Sequence, residues 1–252
     1  MKYKNFVFDL YVTVADVYTY DDAVRTYEKM AVFFSSHGAK YTAEEYRTCM
    51  HDFRAIQEKK REGSVYKPTG EVIRYPETDV LLVYEELFAA KGVAATRADV
   101  LRAARYYRGI STVTLRRYPG VTELFGQLRA AGRSIYLLSN AQREYTVYDL
   151  EKLGLYSCFD GILLSSDYGC RKPDPIFFGE LTRQFGVLPE ESLMIGNDRR
   201  SDIYGANLFG MDSVLLVTGE ELAAPIEGVF ATYTVAGGTY RELAELLPEL
   251  LA

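Results

Sequence analysis

The sequence predicts an α/β protein in which a doubly wound parallel sheet carries an inserted, all-helical second domain. From Tyr118 onward, short apolar runs alternate with amphipathic helical patterns, which is typical of a parallel sheet covered by helices on both faces. A separate apolar run near the N-terminus supplies the first strand. Residues 16–115, between these parts, show helical periodicity. We therefore expect a core formed by residues 1–15 and 116–252 and an inserted domain formed by residues 16–115.

The first strand is the apolar run Phe6, Val7 and Phe8, and it ends at a carboxylate, Asp9. Thr13 follows four residues later. Open α/β sheets bind ligands at the carboxyl ends of their strands, where an acid can act as a nucleophile or a metal ligand. An acid at this point can equally well form a turn or cap a helix, so the strand alone does not define a site.

Within the insert, apolar residues recur at helical spacing in four stretches. The stretches contain Val24, Tyr27, Met30, Ala31 and Phe34; Tyr46, Met50, Phe53 and Ile56; Val80, Leu81, Tyr84, Leu87 and Phe88; and Val100, Leu101, Ala104 and Tyr107. Thr42 and Glu45 have the spacing of a capping box that opens a helix. We expect about four helices in the insert and no strand.

The alternating part of the chain predicts the remaining elements. The predicted helices cover residues 121–131, 145–153, 175–185, 201–209 and 240–251. The predicted strands cover residues 134–139, 161–165, 192–196 and 213–217, with a further edge strand at 231–235. Three of the helices are stopped by glycine, at Gly132, Gly154 and Gly210.

The composition indicates a cytoplasmic protein that acts on a small-molecule substrate. A net charge of −6 over 252 residues argues against nucleic acid or an anionic membrane as a partner. No apolar run approaches the roughly 20 residues that span a bilayer, and no signal peptide is expected. Cys49, Cys158 and Cys170 show no CxxC spacing, as in a reduced protein. With only His37 and His51 available, we expect no zinc site.

Three later segments add polar groups that suit one shared rim of the sheet. In chain order they contain Ser139 and Asn140; Lys172 in the stiff loop Arg171-Lys172-Pro173-Asp174-Pro175; and Asn197, Asp198 and Asp202. Together with Asp9, this ordered set resembles the four motifs of the haloacid dehalogenase superfamily of hydrolases, over residues 1–15 and 115–220. The resemblance implies a Rossmann-like core with a cap domain inserted after the first motif.

On this interpretation Asp9 is a nucleophile that forms a covalent ester, which water then hydrolyses. Lys172 would keep that carboxylate ionised beside an anionic substrate, although a solvated surface lysine is the plain alternative. Thr13, Ser139 and Asn140 would hold substrate oxygens. A helix cap formed by Ser139 and Asn140 is compatible with that role, because an anion site at a helix N-terminus has the same geometry.

The oxygen-rich end of the last motif predicts Mg²⁺ as a cofactor. By resemblance, the ion would be bound by Asp9, the backbone carbonyl of Tyr11 and Asp198. Asp202 would hydrogen-bond around the metal, and Asn197 would either bind it or support a ligand. The alternative for Asp198 and Asp202 is that acids at this spacing only favour the start of a helix.

Tyr11 departs from the superfamily's phosphatases, most of which carry a second Asp two residues after the nucleophile to protonate the leaving group. A phenol is a poor base at neutral pH, although it can donate a hydrogen bond. Tyrosine at this position resembles the 2-haloacid dehalogenases, which need no metal. The favoured hypothesis is a Mg²⁺-dependent phosphatase of a small phosphorylated metabolite; the others are a metal-independent 2-haloacid dehalogenase and a degenerate, non-catalytic binder of a phosphorylated ligand.

Overall fold

A computed structural model of the chain describes residues 2–21, 23–219 and 224–252. The strands are β1 (Asn5–Phe8), β2 (Ala15–Thr19), β3 (Val65–Tyr66), β4 (Glu71–Val72), β5 (Thr112–Arg117), β6 (Ser134–Ser139), β7 (Gly161–Leu164), β8 (Ser192–Gly196), β9 (Asp212–Leu216) and β10 (Tyr233–Val235). The α-helices are α1 (Val24–Ser36), α2 (Ala43–Arg61), α3 (Val80–Ala89), α4 (Arg97–Ser111), α5 (Val121–Ala130), α6 (Arg143–Leu153), α7 (Ser165–Tyr168), α8 (Pro175–Phe185), α9 (Tyr204–Phe209), α10 (Tyr240–Glu245) and α11 (Leu247–Leu251).

The described strands include a six-stranded parallel sheet in the order β10-β9-β8-β1-β6-β7, which confirms the predicted fold class. Strand β1 lies in the middle, where Phe8 is in register with Leu137 of β6 and Ile195 of β8. After β1 the chain builds outward to β7 on one side and then starts again from β8 on the other. Such a switch point opens a crevice at the carboxyl ends of the strands. Asp9 lies there.

The alternation of side chains along β1 explains why the sheet is buried on both faces. Phe6 and Phe8 belong to one hydrophobic cluster, in which the Phe8 ring lies 4.9 Å from that of Phe125 in α5. Val7 points to the opposite face and joins a cluster with Phe177 of α8. Since a strand buries alternate residues on opposite faces, an unbroken apolar run is what a doubly covered strand requires.

The insert contains the four predicted helices, α1 to α4, around their own apolar cluster, and the capping box of Thr42 and Glu45 opens α2 as predicted. The prediction that the insert contains no strand is wrong. Strand β2 pairs with β5 as an antiparallel ribbon beside the junctions with the core, and β3 pairs with β4. These strands were missed because they are short or mainly polar, so their stability comes from their partner strands rather than from a buried apolar run.

One segment of the insert, residues 64–79, is attached to the core rather than to the insert helices. Tyr66 belongs to the core cluster of Val7, and its hydroxyl donates to Glu180 of α8 (2.8 Å). The Arg171 N–H donates to the Tyr75 carbonyl (2.9 Å), and the Glu77 N–H to that of Gly169 (3.0 Å). The insert therefore supplies a backbone segment that lies directly against the loop carrying Lys172.

The predicted elements after Tyr118 are all present, with two changes. The helix predicted at 201–209 begins as a π-helical turn, Arg199–Ile203, before α9, and the helix predicted at 240–251 is divided into α10 and α11. Pro248 has no N–H to continue the helix, which accounts for the second break. In the described ranges, no helix combines the length and apolar character needed to cross a membrane.

Candidate active site

Asp9 lies at the carboxyl end of β1, between the ends of β6 and β8. Its backbone N–H donates to the Ile195 carbonyl (2.9 Å), which continues the pairing with β8 for one more residue. Its side chain is 12 % exposed. The Oδ1 atom accepts hydrogen bonds from Ser139 Oγ (3.1 Å) and Lys172 Nζ (2.6 Å). Among the described residues Oδ2 accepts no hydrogen bond, so one oxygen is held while the other is available to react.

Lys172 is buried and uses all three of its N–H donors within the protein. Nζ lies 2.6 Å from Asp9 Oδ1, 2.7 Å from Asp202 Oδ1 and 2.8 Å from the Leu138 carbonyl. Burial by itself would lower the pKa of Lys172, but the carboxylates of Asp202 and Asp9 raise it above the usual value. Lys172 is therefore a fixed positive charge beside the reactive carboxylate.

Asp202 is the second acid on Lys172 and is fully buried. Burial raises the pKa of Asp202 to about 6, against the opposing effect of the Lys172 charge. Its Oδ2 accepts the Asp198 N–H (3.0 Å), which fixes the turn after β8. Gly196 makes this approach possible, because a Cβ there would overlap the Asp202 carboxylate.

Ser139 and Asn140 end β6 beside Asp9, but their side chains do different things. Ser139 donates to Asp9 directly. The Asn140 amide brackets the neighbouring loop, since its Nδ2 donates to the Lys172 carbonyl (3.1 Å) and its Oδ1 accepts the Lys172 N–H (2.8 Å). With both ends of the amide engaged, the Asn140 side chain holds the lysine loop in place, while its predicted contact with substrate stays a prediction.

Thr13 and Asn197 contact each other under the rim. Thr13 is fully buried, and its Oγ1 donates to Asn197 Oδ1 (3.0 Å). The Nδ2 group of Asn197 is buried and has no hydrogen-bond partner in the described residues. An unpaired buried amide group is costly, so its partner is expected to be a ligand or water. Rotation of the amide by 180° would present the oxygen instead.

Asp198 caps the turn that follows β8. Its Oδ1 accepts the Arg200 N–H (2.9 Å), and its Oδ2 accepts the Ser201 hydroxyl (2.8 Å). Asp198 therefore makes the kind of contact that its alternative interpretation, as an acid at the start of a helix, predicts. Each carboxylate oxygen keeps a further lone pair for a metal.

The predicted metal ligands suit Mg²⁺ better than they suit a metal ion that is bound only by side chains. The described part of the chain brings together no group of three or more His, Cys, Asp or Glu side chains of the kind that holds a metal ion. The predicted set is smaller, two carboxylates and the Tyr11 carbonyl, all hard oxygen donors. Mg²⁺ keeps several waters and needs only one or two carboxylates, so this donor chemistry fits it.

Tyr11 does not direct its hydroxyl toward a free position in the site. The hydroxyl donates to Asp149 Oδ2 (2.8 Å) on α6 and lies 3.3 Å from Thr146 Oγ1. Arg108 of α4 also binds Asp149 Oδ2, through Nε (3.0 Å) and Nη2, and its guanidinium lies 5.3 Å from the centre of the Tyr11 ring. Burial, followed by the Asp149 charge, raises the pKa of Tyr11. The phenol is therefore a hydrogen-bond donor at neutral pH.

Sequence reasoning missed Arg108 and Asp149. Both are charged residues within helices, a pattern that normally indicates exposure, yet the side chains are 9 % and 1 % exposed. The signal that would have revealed them is their pairing, which requires α4 and α6 to be in contact. No local pattern in either helix encodes that contact.

Two cavities adjoin the rim. The first, about 320 Å³, lies between insert and core and is lined by Arg108, Tyr107 and Tyr145. The second, about 590 Å³, is lined by Asn140, Lys172 and Asp198, and we call it the outer cavity. Arg54 lines both cavities. Along α2, arginines recur every seven residues as Arg47, Arg54 and Arg61, and of these three only Arg54 lines the two cavities.

Comparison with known proteins agrees with the residues gathered at the rim. The family model described as haloacid dehalogenase-like hydrolase matches residues 3–210. A glyceraldehyde 3-phosphate phosphatase from Methanothermobacter thermautotrophicus is 32 % identical over 110 residues, 44 % of this chain and 49 % of that protein. A phosphoserine phosphatase from Thermus thermophilus is 32 % identical over 137 residues, 54 % of each protein. The chain thus spans about half the length of these curated relatives.

Solved structures share the fold over nearly the whole chain. A 2-haloacid dehalogenase from Pseudomonas syringae pv. Tomato superposes with a TM-score of 0.66 at 17 % identity, covering 98 % of this chain and 99 % of that one. A HAD phosphatase from Thermococcus onnurineus superposes with a TM-score of 0.58 at 19 % identity, covering 98 % of each chain. Because proteins of both kinds have this architecture, the fold does not separate the two reactions.

Proposed function

Because the chain belongs to the haloacid dehalogenase-like hydrolase family, we propose that it is a Mg²⁺-dependent phosphatase of small phosphorylated metabolites in the cytoplasm. The observation that carries this proposal is the arrangement of Asp9, with Oδ1 held by Lys172 and Ser139 and Oδ2 open. The phosphatases among the relatives support the choice of phosphate esters as substrates. We propose neither a nucleic acid nor a membrane as a binding partner.

In the proposed reaction, Asp9 Oδ2 attacks the phosphorus atom and a new O–P bond forms. The P–O bond to the alcohol breaks, and its electron pair leaves with the alkoxide, which takes a proton from water. A second water molecule then hydrolyses the aspartyl phosphate, which releases phosphate and one proton and restores the carboxylate. The Lys172 charge, 2.6 Å from Asp9 Oδ1, offsets part of the negative charge that the anionic substrate brings to the nucleophile.

Mg²⁺ would be held by Asp9, the Tyr11 carbonyl and Asp198, and it would supply positive charge for the phosphate oxygens. The protein's own contribution is rigidity. Asp202 fixes both Lys172 and the Asp198 backbone, and Asn140 holds the lysine loop. Thr13 fixes Asn197, whose buried N–H₂ group has no partner among the described residues.

Tyr11 is proposed as a positioning residue rather than as the proton donor to the leaving group. Its hydroxyl is already committed to Asp149, and its pKa is raised. With no carboxyl group at this place, good leaving groups should be favoured over simple alkoxides, because an alkoxide needs a proton in order to leave.

The test of this proposal is turnover of a panel of phosphate esters and 2-haloacids by the purified protein, with Mg²⁺ and with EDTA. We expect phosphate release that EDTA abolishes. The Asp9→Asn variant, purified in parallel, controls for contaminating phosphatases. Release of halide that resists EDTA would replace the proposal with its main alternative, and binding of a phosphate ester without any release would replace it with the non-catalytic binder.

The dehalogenase alternative has one observation in its favour, the phenol of Tyr11 at a position where a phosphatase needs an acid. A halide leaves without a proton. The rate of that reaction would therefore not be lowered by a Tyr11 hydroxyl that is already hydrogen-bonded to Asp149. In this case Asp9 would attack carbon 2 of the haloacid and the carbon–halogen bond would break with its electron pair on the halide. The panel above separates the two reactions directly.

A further inference from the structure

The outer cavity is lined by several positively charged side chains to which the proposed reaction assigns no role. Its charged lining consists of Arg54, Arg171, Lys172 and Arg200 on the positive side and Glu77 and Asp198 on the negative side. This concentration of cations stands out in a chain whose net charge is −6. A charge that lines a cavity is either paired within the protein or available to a bound group of opposite charge.

Most of these charges are already committed. Lys172 spends all three donors on Asp9, Asp202 and a backbone carbonyl. Arg54 lies 3.6 Å from Glu58 on its own helix. The Glu77 carboxylate accepts from Ser165 Oγ (2.8 Å) and from its neighbour's backbone N–H (3.0 Å).

Arg171 and Arg200 are different. Within residues 2–21, 23–219 and 224–252, neither guanidinium has an ion pair or a hydrogen bond. Each is nevertheless fixed through its backbone. The Arg171 N–H donates to the Tyr75 carbonyl (2.9 Å), and the Arg200 N–H donates to Asp198 Oδ1 (2.9 Å).

Their places in the chain tie them to the reacting groups. Arg171 immediately precedes Lys172, and Arg200 is two residues after Asp198. Both arginines line the outer cavity together with Lys172 and Asp198. A substrate whose phosphate lies at Asp9 and whose remaining atoms occupy this cavity would therefore pass the two guanidiniums. A guanidinium presents a planar fork of donors that matches a carboxylate or a phosphate.

We propose that Arg171 and Arg200 form a second anion subsite and that the substrate is a phosphate ester with a second acidic group, a carboxylate or another phosphate. This inference rests on the proposed function for the identity of the first group, the phosphate at Asp9. It adds a substrate class: small phosphate esters that carry a second acidic group, in preference to sugar or glycerol phosphates whose phosphate is their only acidic group.

Binding to the Asp9→Asn variant tests the subsite without turnover. Isothermal titration would compare two matched pairs in the presence of Mg²⁺: 3-phosphoglycerate against glycerol 3-phosphate, and fructose 1,6-bisphosphate against fructose 6-phosphate. We expect at least one doubly acidic ester to bind about 10-fold or more tightly than its partner. The first pair reports on a carboxylate and the second on a phosphate.

Substitution then assigns the preference to residues. Arg171→Ala and Arg200→Ala should each remove about 10-fold or more of the affinity for the doubly acidic ester and change the affinity for the ester without a second acidic group by no more than about twofold. Arg200 is exposed, so its loss should not disturb folding. Lys59→Ala is the matched control, since it removes one exposed positive charge from α2, and it should change neither affinity.

Equal affinity for esters with and without a second acidic group, or equal losses for both in the arginine variants, would overturn the subsite. Kinetics of the wild type separate this result from failure of the proposed function. Phosphate release from all esters without preference would leave the phosphatase intact and remove the subsite. A binding preference that depends on Arg171 and Arg200, found without any release, would support the subsite and remove the phosphatase.

Discussion

Individual residues at the rim are each held by several polar contacts. Lys172 joins three elements through one ammonium group, to Asp9 after β1, to the Leu138 carbonyl of β6 and to Asp202 after β8. A buried charge is stable only when it is paired and fully hydrogen-bonded. The same contacts leave the other oxygen of Asp9 without a hydrogen bond among the described residues, so the proposed nucleophile is held in place before the substrate binds.

Asp9→Asn should abolish turnover and leave the fold intact. An amide cannot form the ester, and its shape is nearly that of the acid. Loss of a covalent nucleophile should lower kcat by several powers of ten. Steady-state phosphate release, with circular dichroism to check folding, measures both effects, and activity within about 10-fold of wild type would exclude Asp9 as the nucleophile.

Tyr11→Phe should change kcat by no more than about threefold, because the phenol is committed to Asp149 and donates no proton to the leaving group. Stability should fall by about 1.5–3 kcal/mol, the value of a hydrogen bond to a charged acceptor. Rates on alkyl and aryl phosphates, measured beside urea unfolding, check both statements. A fall of about 10²–10⁴-fold that grows as the leaving group becomes poorer would show instead that Tyr11 is a general acid.

At the scale of elements, the insert and the core are joined by specific polar contacts as well as by chain connections. Helix α4 of the insert reaches α6 of the core through Arg108 and Asp149, and Tyr11 connects this pair to the loop after β1. Segment 64–79 adds a second junction against the loop of Lys172. Elements distant in the chain are thereby fixed around one rim.

Arg108→Ala should lower the free energy of unfolding by about 3–5 kcal/mol, because it leaves the Asp149 carboxylate buried without its cation. The pair Arg241–Glu245 offers a matched control, since both side chains are largely exposed. Arg241→Ala should cost no more than about 0.5 kcal/mol. Urea unfolding of both variants measures the difference, and equal losses would contradict the importance of the buried pair.

Gly196→Ala should destabilise the protein by about 1–3 kcal/mol, because the new methyl group would overlap the Asp202 carboxylate. The control is Gly126→Ala in α5, where a Cβ would meet nothing within 4 Å. That change should stabilise the protein by about 0.5–1 kcal/mol through helix propensity. Thermal unfolding measures whether each substitution raises or lowers Tm. A Gly196→Ala protein as stable as wild type would show that the turn after β8 can relax.

At the scale of the whole molecule, the site exists only in the folded chain, because the residues that form it follow strands that are far apart in sequence. A ligand that binds only the native state stabilises it in proportion to the logarithm of its concentration. A metal site built in this way should therefore be visible in unfolding experiments even without a substrate.

Mg²⁺ at about 100 times its Kd should raise the free energy of unfolding by about 2.7 kcal/mol, and Asp198→Ala should remove most of that gain. Asp16→Ala serves as the control because it removes a carboxylate that pairs with Arg116 on the β2–β5 ribbon. Differential scanning calorimetry across a Mg²⁺ series measures the shift in Tm. No shift in the wild type, or the same shift in Asp198→Ala, would count against this acid as a ligand.

Sequence patterns were sufficient for the local elements and for the residues at strand ends. Strands β6 and β8 and helix α8 have the bounds that the sequence predicts. An unbroken apolar run ending in a polar side chain encodes both a buried strand and its exposed tip, which is why Asp9, Ser139 and Asp198 could be identified as rim residues. The cap of α2 was predictable for the same reason, because Thr42 and Glu45 satisfy backbone groups within one turn.

Only the tertiary structure determines which polar side chains of the rim are in contact with one another. Asn140 binds the distant Lys172 loop, Asp198 binds its own turn, and Tyr11 binds a partner 138 residues away. Within residues 2–21, 23–219 and 224–252, the guanidiniums of Arg171 and Arg200 have no partner. The strands β2 and β5 also depend on each other, and neither carries a buried apolar run that marks it in the sequence. The physical reason is common to all of these features: a charge or a polar strand is stabilised by a partner that folding brings from a distant part of the chain, whereas an apolar run or a helix cap carries its stabilising pattern within itself.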